Sequence, residues 1–95
     1  MNMEVHQTYQ VYIVKCSDGT LYTGISTDVE RRVEKHNRGT GAKYTKTRRP
    51  VLLLYSQTIG TRSDALKEEY RIKQLRKDEK LILCRKGVDF NPIQC

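Results

Sequence analysis

The amino-acid sequence predicts an α+β domain: a small mixed sheet of three strands, covered by helices in the order β-β-α-β-α, with room for a third helix. Three observations carry that prediction. Two runs rich in β-branched and aromatic residues flank an Asp18-Gly19 turn. A short continuous apolar run, "VLLLYSQ", stands alone at 51 to 57. Two stretches, 28–38 and 61–76, carry their apolar residues at helical spacing. A hairpin does not stand alone in water, so the helices must cover the sheet.

The elements follow in order. Residues 1 to 8 read as a leader. "YQVYIVKC", 9 to 16, and "TLYTGI", 20 to 25, make the hairpin. Thr27-Asp28-Val29-Glu30 reads as a capping box, with Thr27 accepting from a free N–H and Glu30 reaching back. The first helix then runs from about Asp28 to Arg38, and Gly39 stops it. "GTGAKYTKTRRP", 39 to 50, reads as a loop, and 51 to 57 as a buried third strand. Thr61 and Ser63 offer caps for a second helix to about Arg76, with Ala65, Leu66, Tyr70, Ile72 and Leu75 as its apolar face. Asp78-Glu79 starts a short helix through Leu83, and 84 to 95 is a tail. The domain proper is 9 to 83.

Composition narrows the function classes. Ninety-five residues make one domain with one modest core. No apolar run is long enough to span a membrane, and no basic-then-apolar leader marks a signal peptide. Cys16, Cys84 and Cys95 are odd in number and widely spaced, and the only histidines are His6 and His36. That pattern suits free thiols in an intracellular compartment better than a zinc site. The net charge is +7, and it is concentrated: between Arg31 and Arg49 eight basic residues face one acid, Glu34. A field of that kind implies a polyanion, most simply nucleic acid; the bland reading is a solubilising surface.

Two helices aim ionisable groups where apolar residues point. Arg32 and His36 share a face with Val29 and Val33. Glu69 falls within the apolar face of the second helix, four after Ala65 and three before Ile72. An isolated carboxylate is costly to bury, so Glu69 is either half of a buried ion pair or a working group. A cation, an imidazole and a carboxylate beside a basic loop form the set that phosphodiester cleavage requires.

Those residues, with "QVY" at 10 to 12 and "YTG" at 22 to 24, resemble the GIY-YIG endonucleases over about residues 9 to 80, and above all the small standalone members that carry "GAKYT". Gln10-Val11 departs from the first motif, and Ile25 stands where some members have lysine. The resemblance implies a small, mainly antiparallel sheet and a structure- or damage-directed DNA endonuclease using one Mg²⁺ or Mn²⁺. It implies that Tyr12, by preference over Tyr22, helps take the water's proton, that Arg32 steadies the phosphate, that His36 assists, and that Glu69 is the metal ligand. A positive neighbour should ease ionisation of the tyrosine. Lys43, Lys46, Arg48 and Arg49 would neutralise backbone phosphates, and Tyr44 would stack on a base or pack beside the site. The alternative is a nucleic-acid-binding module acting with a protein partner.

Overall fold

The computed structural model describes residues 7–89. The elements are β1 (Tyr9–Lys15), β2 (Leu21–Ser26), α1 (Val29–Arg38), α2 (Lys43–Lys46), β3 (Leu52–Gly60), α3 (Arg62–Lys73) and α4 (Lys77–Leu83), followed by a 3₁₀ turn at Cys84–Lys86. All three strands are antiparallel and lie in the order β2-β1-β3. The first strand is therefore the central one. That position explains its composition: Val11, Tyr12, Ile13 and Val14 are all buried, because both faces of the sheet are covered.

Alternation along β1 divides the interior in two. Tyr12 and Val14 face one way and join Cys16, Val29 and Val51, with Val33 of α1 packed beside them. Val11 and Ile13 face the other way and join Tyr55 and Ile72 of α3. So α1 and α3 lie on opposite faces of the sheet. The hairpin is held at its turn by Asp18, whose carboxylate accepts from the Thr20 hydroxyl at 2.6 Å and the Thr20 N–H at 3.0 Å. Gly19 takes the positive φ of 87° that the turn requires.

Several expected boundaries move. The cap of α1 is Asp28, not Thr27: its Oδ1 accepts from the Arg31 N–H at 3.1 Å, while Ser26 Oγ accepts from the Asp28 N–H at 2.9 Å. Asp28 stands immediately before the first helical residue, so its carboxylate takes the role assigned to threonine. The expected loop at 39–50 contains the single turn α2. β3 continues to Gly60, because Gln57, Thr58 and Gly60 find partners in Val11, Gln10 and Tyr9. α3 stops at Lys73, short of Arg76. Arg76 instead caps α4, its N–H donating to Glu79 at 2.8 Å.

The apolar face of α3 is narrower than expected. Ala65 and Ile72 are fully buried, but Tyr70 is 69% exposed. It sits about 140° round the helix from Ala65, beyond the strip that the sheet covers. Past α4, Val88 forms a parallel bridge to Ser56, so residues 87–89 run beside β3. The rest of the leader and tail, 1–6 and 90–95, lies outside the described residues. Among the described residues no helix is long and apolar enough to cross a membrane.

Candidate active site

Tyr12 pairs with Gly24 across the hairpin. The missing side chain matters: a Cβ on Gly24 would stand 2.6 Å from the Tyr12 hydroxyl oxygen. Glycine there lets the tyrosine ring lie over the edge strand β2. The hydroxyl then meets His36 Nε2 at 2.9 Å. His36 is fully buried, and its other ring nitrogen, Nδ1, is 2.7 Å from Oγ1 of Thr45. Thr45 is also fully buried, and its hydroxyl reaches the Ala42 carbonyl at 3.0 Å. Gly41 makes room for the imidazole, since a Cβ there would lie 2.5 Å from Nδ1. A chain of polar contacts thus runs Tyr12–His36–Thr45–Ala42, through otherwise packed protein.

Two proton arrangements satisfy these distances. If Thr45 gives its one hydrogen to the Ala42 carbonyl, its oxygen accepts from Nδ1–H, and Nε2 turns a lone pair to the Tyr12 hydroxyl. In the other, Nδ1 accepts from Thr45 and from the Ala42 N–H at 3.4 Å, and Nε2–H donates to the tyrosine oxygen.

Electrostatics keep both rings neutral at pH 7. Burial pushes the Tyr12 hydroxyl up to about 12. Arg32 beside it draws the value down, while Tyr22 and the Glu69 carboxylate raise it. The expected help from Arg32 is present, but burial outweighs it. Burial also holds His36 below its ordinary value of 6.5, and the Arg32 charge adds to that effect.

Arg32, His36 and Glu69 are therefore all felt at one hydroxyl, although α1 and α3 cover opposite faces. Glu69 is not the partner of Arg32. Its carboxylate, 17% exposed, pairs with Lys73 at 3.2 Å, one turn along its own helix. Among the described residues no three His, Cys, Asp or Glu side chains cluster as a metal cage. A hard dication at this place would have Glu69 as its one carboxylate, with waters and phosphate oxygens completing the shell. The donor set fits Mg²⁺ or Mn²⁺ in that loosely held form, and the half-exposed Lys73 can give the carboxylate up.

Tyr22 closes the aromatic side of the site. Its ring meets His36 edge-on at 5.4 Å, tilts towards Tyr12 at 6.5 Å and stacks on Tyr44 at 5.8 Å. Tyr44 also carries the Arg48 guanidinium 4.0 Å over its ring. Tyr44 is thus already in contact with two neighbours rather than presented for a base.

The expected phosphate-binding cations divide the same way. Arg48 bonds Asp18 at 3.0 Å and the Tyr44 carbonyl at 2.7 Å. Arg49 bonds the carbonyls of Lys46 at 3.0 Å and Asn37 at 3.4 Å, helping to close the end of α1. Lys43 and Lys46 are exposed and have no ion pair among the described residues.

Sequence reasoning missed Thr45 and Gly41. "GAKYT" contained both, but only the folded loop shows which hydroxyl turns inward.

A family model described as the GIY-YIG catalytic domain matches residues 8–81. A UPF0213 protein of Staphylococcus aureus is 63% identical over 75 residues, covering 79% of this chain and 92% of that protein. The solution NMR structure of a UPF0213 protein from Bacillus halodurans is similar at a TM-score of 0.53 and 39% identity, covering 92% of this chain and 90% of that one. A second solution NMR structure, of a protein from E. faecalis, is similar at a TM-score of 0.56 and 42% identity, covering 85% and 88%.

Proposed function

The chain belongs to the GIY-YIG catalytic-domain family, and from that premise we propose that it is a divalent-metal-dependent DNA endonuclease, structure- or damage-directed, with a role in DNA repair or processing. The observation that carries this reading is the Tyr12–His36 bond of 2.9 Å, with Arg32 and Glu69 both acting on the same hydroxyl.

Each group then has a task. Arg32 holds the scissile phosphate and balances charge that grows on its oxygens. Glu69 would hold the cation, which supplies Lewis acidity at the phosphate when bound. Tyr12 orients the attacking water. As the water's oxygen bonds phosphorus, its proton passes to the Tyr12 oxygen and the tyrosine's own proton passes to His36 Nε2. The phosphorus–oxygen bond on the far side breaks, and the leaving oxygen takes a proton from solvent. This route avoids a free phenolate, which a hydroxyl held at about 12 would form only rarely at neutral pH.

Substrate binding improves the acceptor. Arg32 depresses the basicity of His36 in the free protein. A phosphate seated on Arg32 offsets that charge, so the imidazole becomes a better base when DNA is present.

The test is cleavage of branched, flapped, nicked, single-stranded and linear duplex DNA with Mg²⁺ or Mn²⁺, beside Glu69→Gln. Cutting that vanishes in the variant while DNA affinity persists supports the proposal. Binding without cutting on every substrate would reduce the chain to a nucleic-acid-binding module.

A further inference from the structure

The structure assigns a second nucleic-acid contact to the outer flank of α3: an open groove that takes an unpaired strand. The groove measures about 500 Å³ and is lined by Arg62, Ser63, Leu66, Lys67 and Tyr70. Arg62, Leu66, Glu69, Tyr70 and Lys73 recur at helical spacing, so the groove borders the same flank of α3 that carries Glu69. The opposite flank is taken by the ion pair between Glu68 and Arg71.

Tyr70 is 69% exposed and Leu66 37%, and Tyr70 has no aromatic partner among the described residues. One exposed apolar residue is ordinary. Here two adjoin, and the charged residues that line the groove with them, Arg62 and Lys67, are both positive. No acid lines the groove, and Arg62 and Lys67 have no ion pair among the described residues. A ring over an aliphatic floor, set between two free cations, complements alternating bases and phosphates. Duplex DNA hides its base faces within the stack, whereas an unpaired strand offers them. The basic loop is the poorer candidate, because the ring of Tyr44 already touches Tyr22 and Arg48.

The occupant is therefore the unpaired segment beside the phosphate to be cut. Placing that phosphate near Glu69 rests on the proposed endonuclease function; strand binding in the groove does not. From Arg62 to Tyr70 the helix rises about 12 Å, enough to follow a short stretch of backbone.

The experiment uses the full chain without metal, a labelled oligothymidylate, and a hairpin duplex for comparison. We expect Tyr70→Ala to weaken single-strand binding about tenfold, Tyr70→Phe to restore it, and duplex binding to stay unchanged. Removing Arg62 and Lys67 together should reduce the salt dependence of single-strand affinity by about one unit of log–log slope. Equal single-strand affinity in wild type and Tyr70→Ala would overturn the proposal. So would equal losses for single strand and duplex, or sedimentation showing that Tyr70 joins two copies of the chain. The two readings fail separately: strand binding through Tyr70 in a wild-type chain that cuts no substrate with Mg²⁺ or Mn²⁺ would preserve the groove and remove the endonuclease.

Discussion

His36 is buried in a way that most histidines are not, and its neighbours give the burial a purpose. Tyr12 meets one ring nitrogen and Thr45 the other. The proposed proton transfer needs Nδ1–H, the arrangement in which Thr45 accepts from the imidazole and gives its own hydrogen to the Ala42 carbonyl. Thr45→Val keeps the shape and removes the hydroxyl. We expect it to slow cleavage about tenfold, with rescue by Thr45→Ser, less than the roughly hundredfold or more of a general base itself, because Thr45 acts only through His36. In ¹⁵N spectra of the free protein, His36 Nε2 should read as unprotonated in wild type and shift towards the protonated form in Thr45→Val. An unprotonated Nδ1 in wild type would refute this role. Gly24→Ala should cost about 1–3 kcal/mol by overpacking, because a methyl group there collides with the Tyr12 hydroxyl; a urea melt measures it. At this scale, Arg32, His36 and Glu69 were legible because helical spacing alone sets them among apolar neighbours. Thr45 was not, since its contact with His36 depends on how a loop folds back.

The segment 42–49 acts as a strap at the scale of elements. Arg48 ties it to the hairpin through Asp18, the Ser17 N–H donates to the Arg48 carbonyl at 2.9 Å, and Arg49 ties it to α1. The strap carries Thr45 and stacks Tyr44 on Tyr22. Its ion pair is partly exposed and its cation–π contact lies at the surface, so Arg48→Ala should cost only about 1 kcal/mol. Hydrogen exchange should quicken in 42–49 while β1 stays protected, because the strap is held from its edges. If exchange there is unchanged, Arg48 is not its anchor. Glycines and a terminal proline marked this stretch as a loop, correctly in outline. They could not reveal that half of its cations are spent on carbonyls and a carboxylate. The same limit applies to α3: its existence was plain from periodicity, but the width of sheet that covers it, and so the exposure of Tyr70, is a tertiary fact.

The whole molecule is a thin sheet with a separate core on each face, and its central strand supplies both. That strand read as one half of a hairpin, from its β-branched and aromatic residues. The continuous apolar run at 51–57, expected to be buried, became the edge strand β3 with Leu52 63% exposed, so apolar continuity did not mark the centre of the sheet. The fold places a neutral histidine inside a basic protein, and this has a consequence for stability. Folding holds His36 below 6.5, so the unfolded chain takes up a proton that the folded chain refuses. Stability should therefore decline as pH falls through 6.5 towards the folded value. Urea melts at pH 7 and below should show that decline, and His36→Gln should flatten it. Tyr12 works at the other end: its folded value of about 12 exceeds the ordinary 10, so its contribution is full below 10 and is lost as pH rises through 12.

One comparison bears most directly on the account. Tyr12→Phe keeps the buried ring and removes only the hydroxyl that meets His36 and feels the charges of Arg32 and Glu69. Single-turnover cleavage, with DNA held in place by the unchanged basic surface, should slow at least about a hundredfold without loss of DNA affinity. Cleavage by Tyr12→Phe at the wild-type rate would contradict the assignment of this hydroxyl to the chemistry.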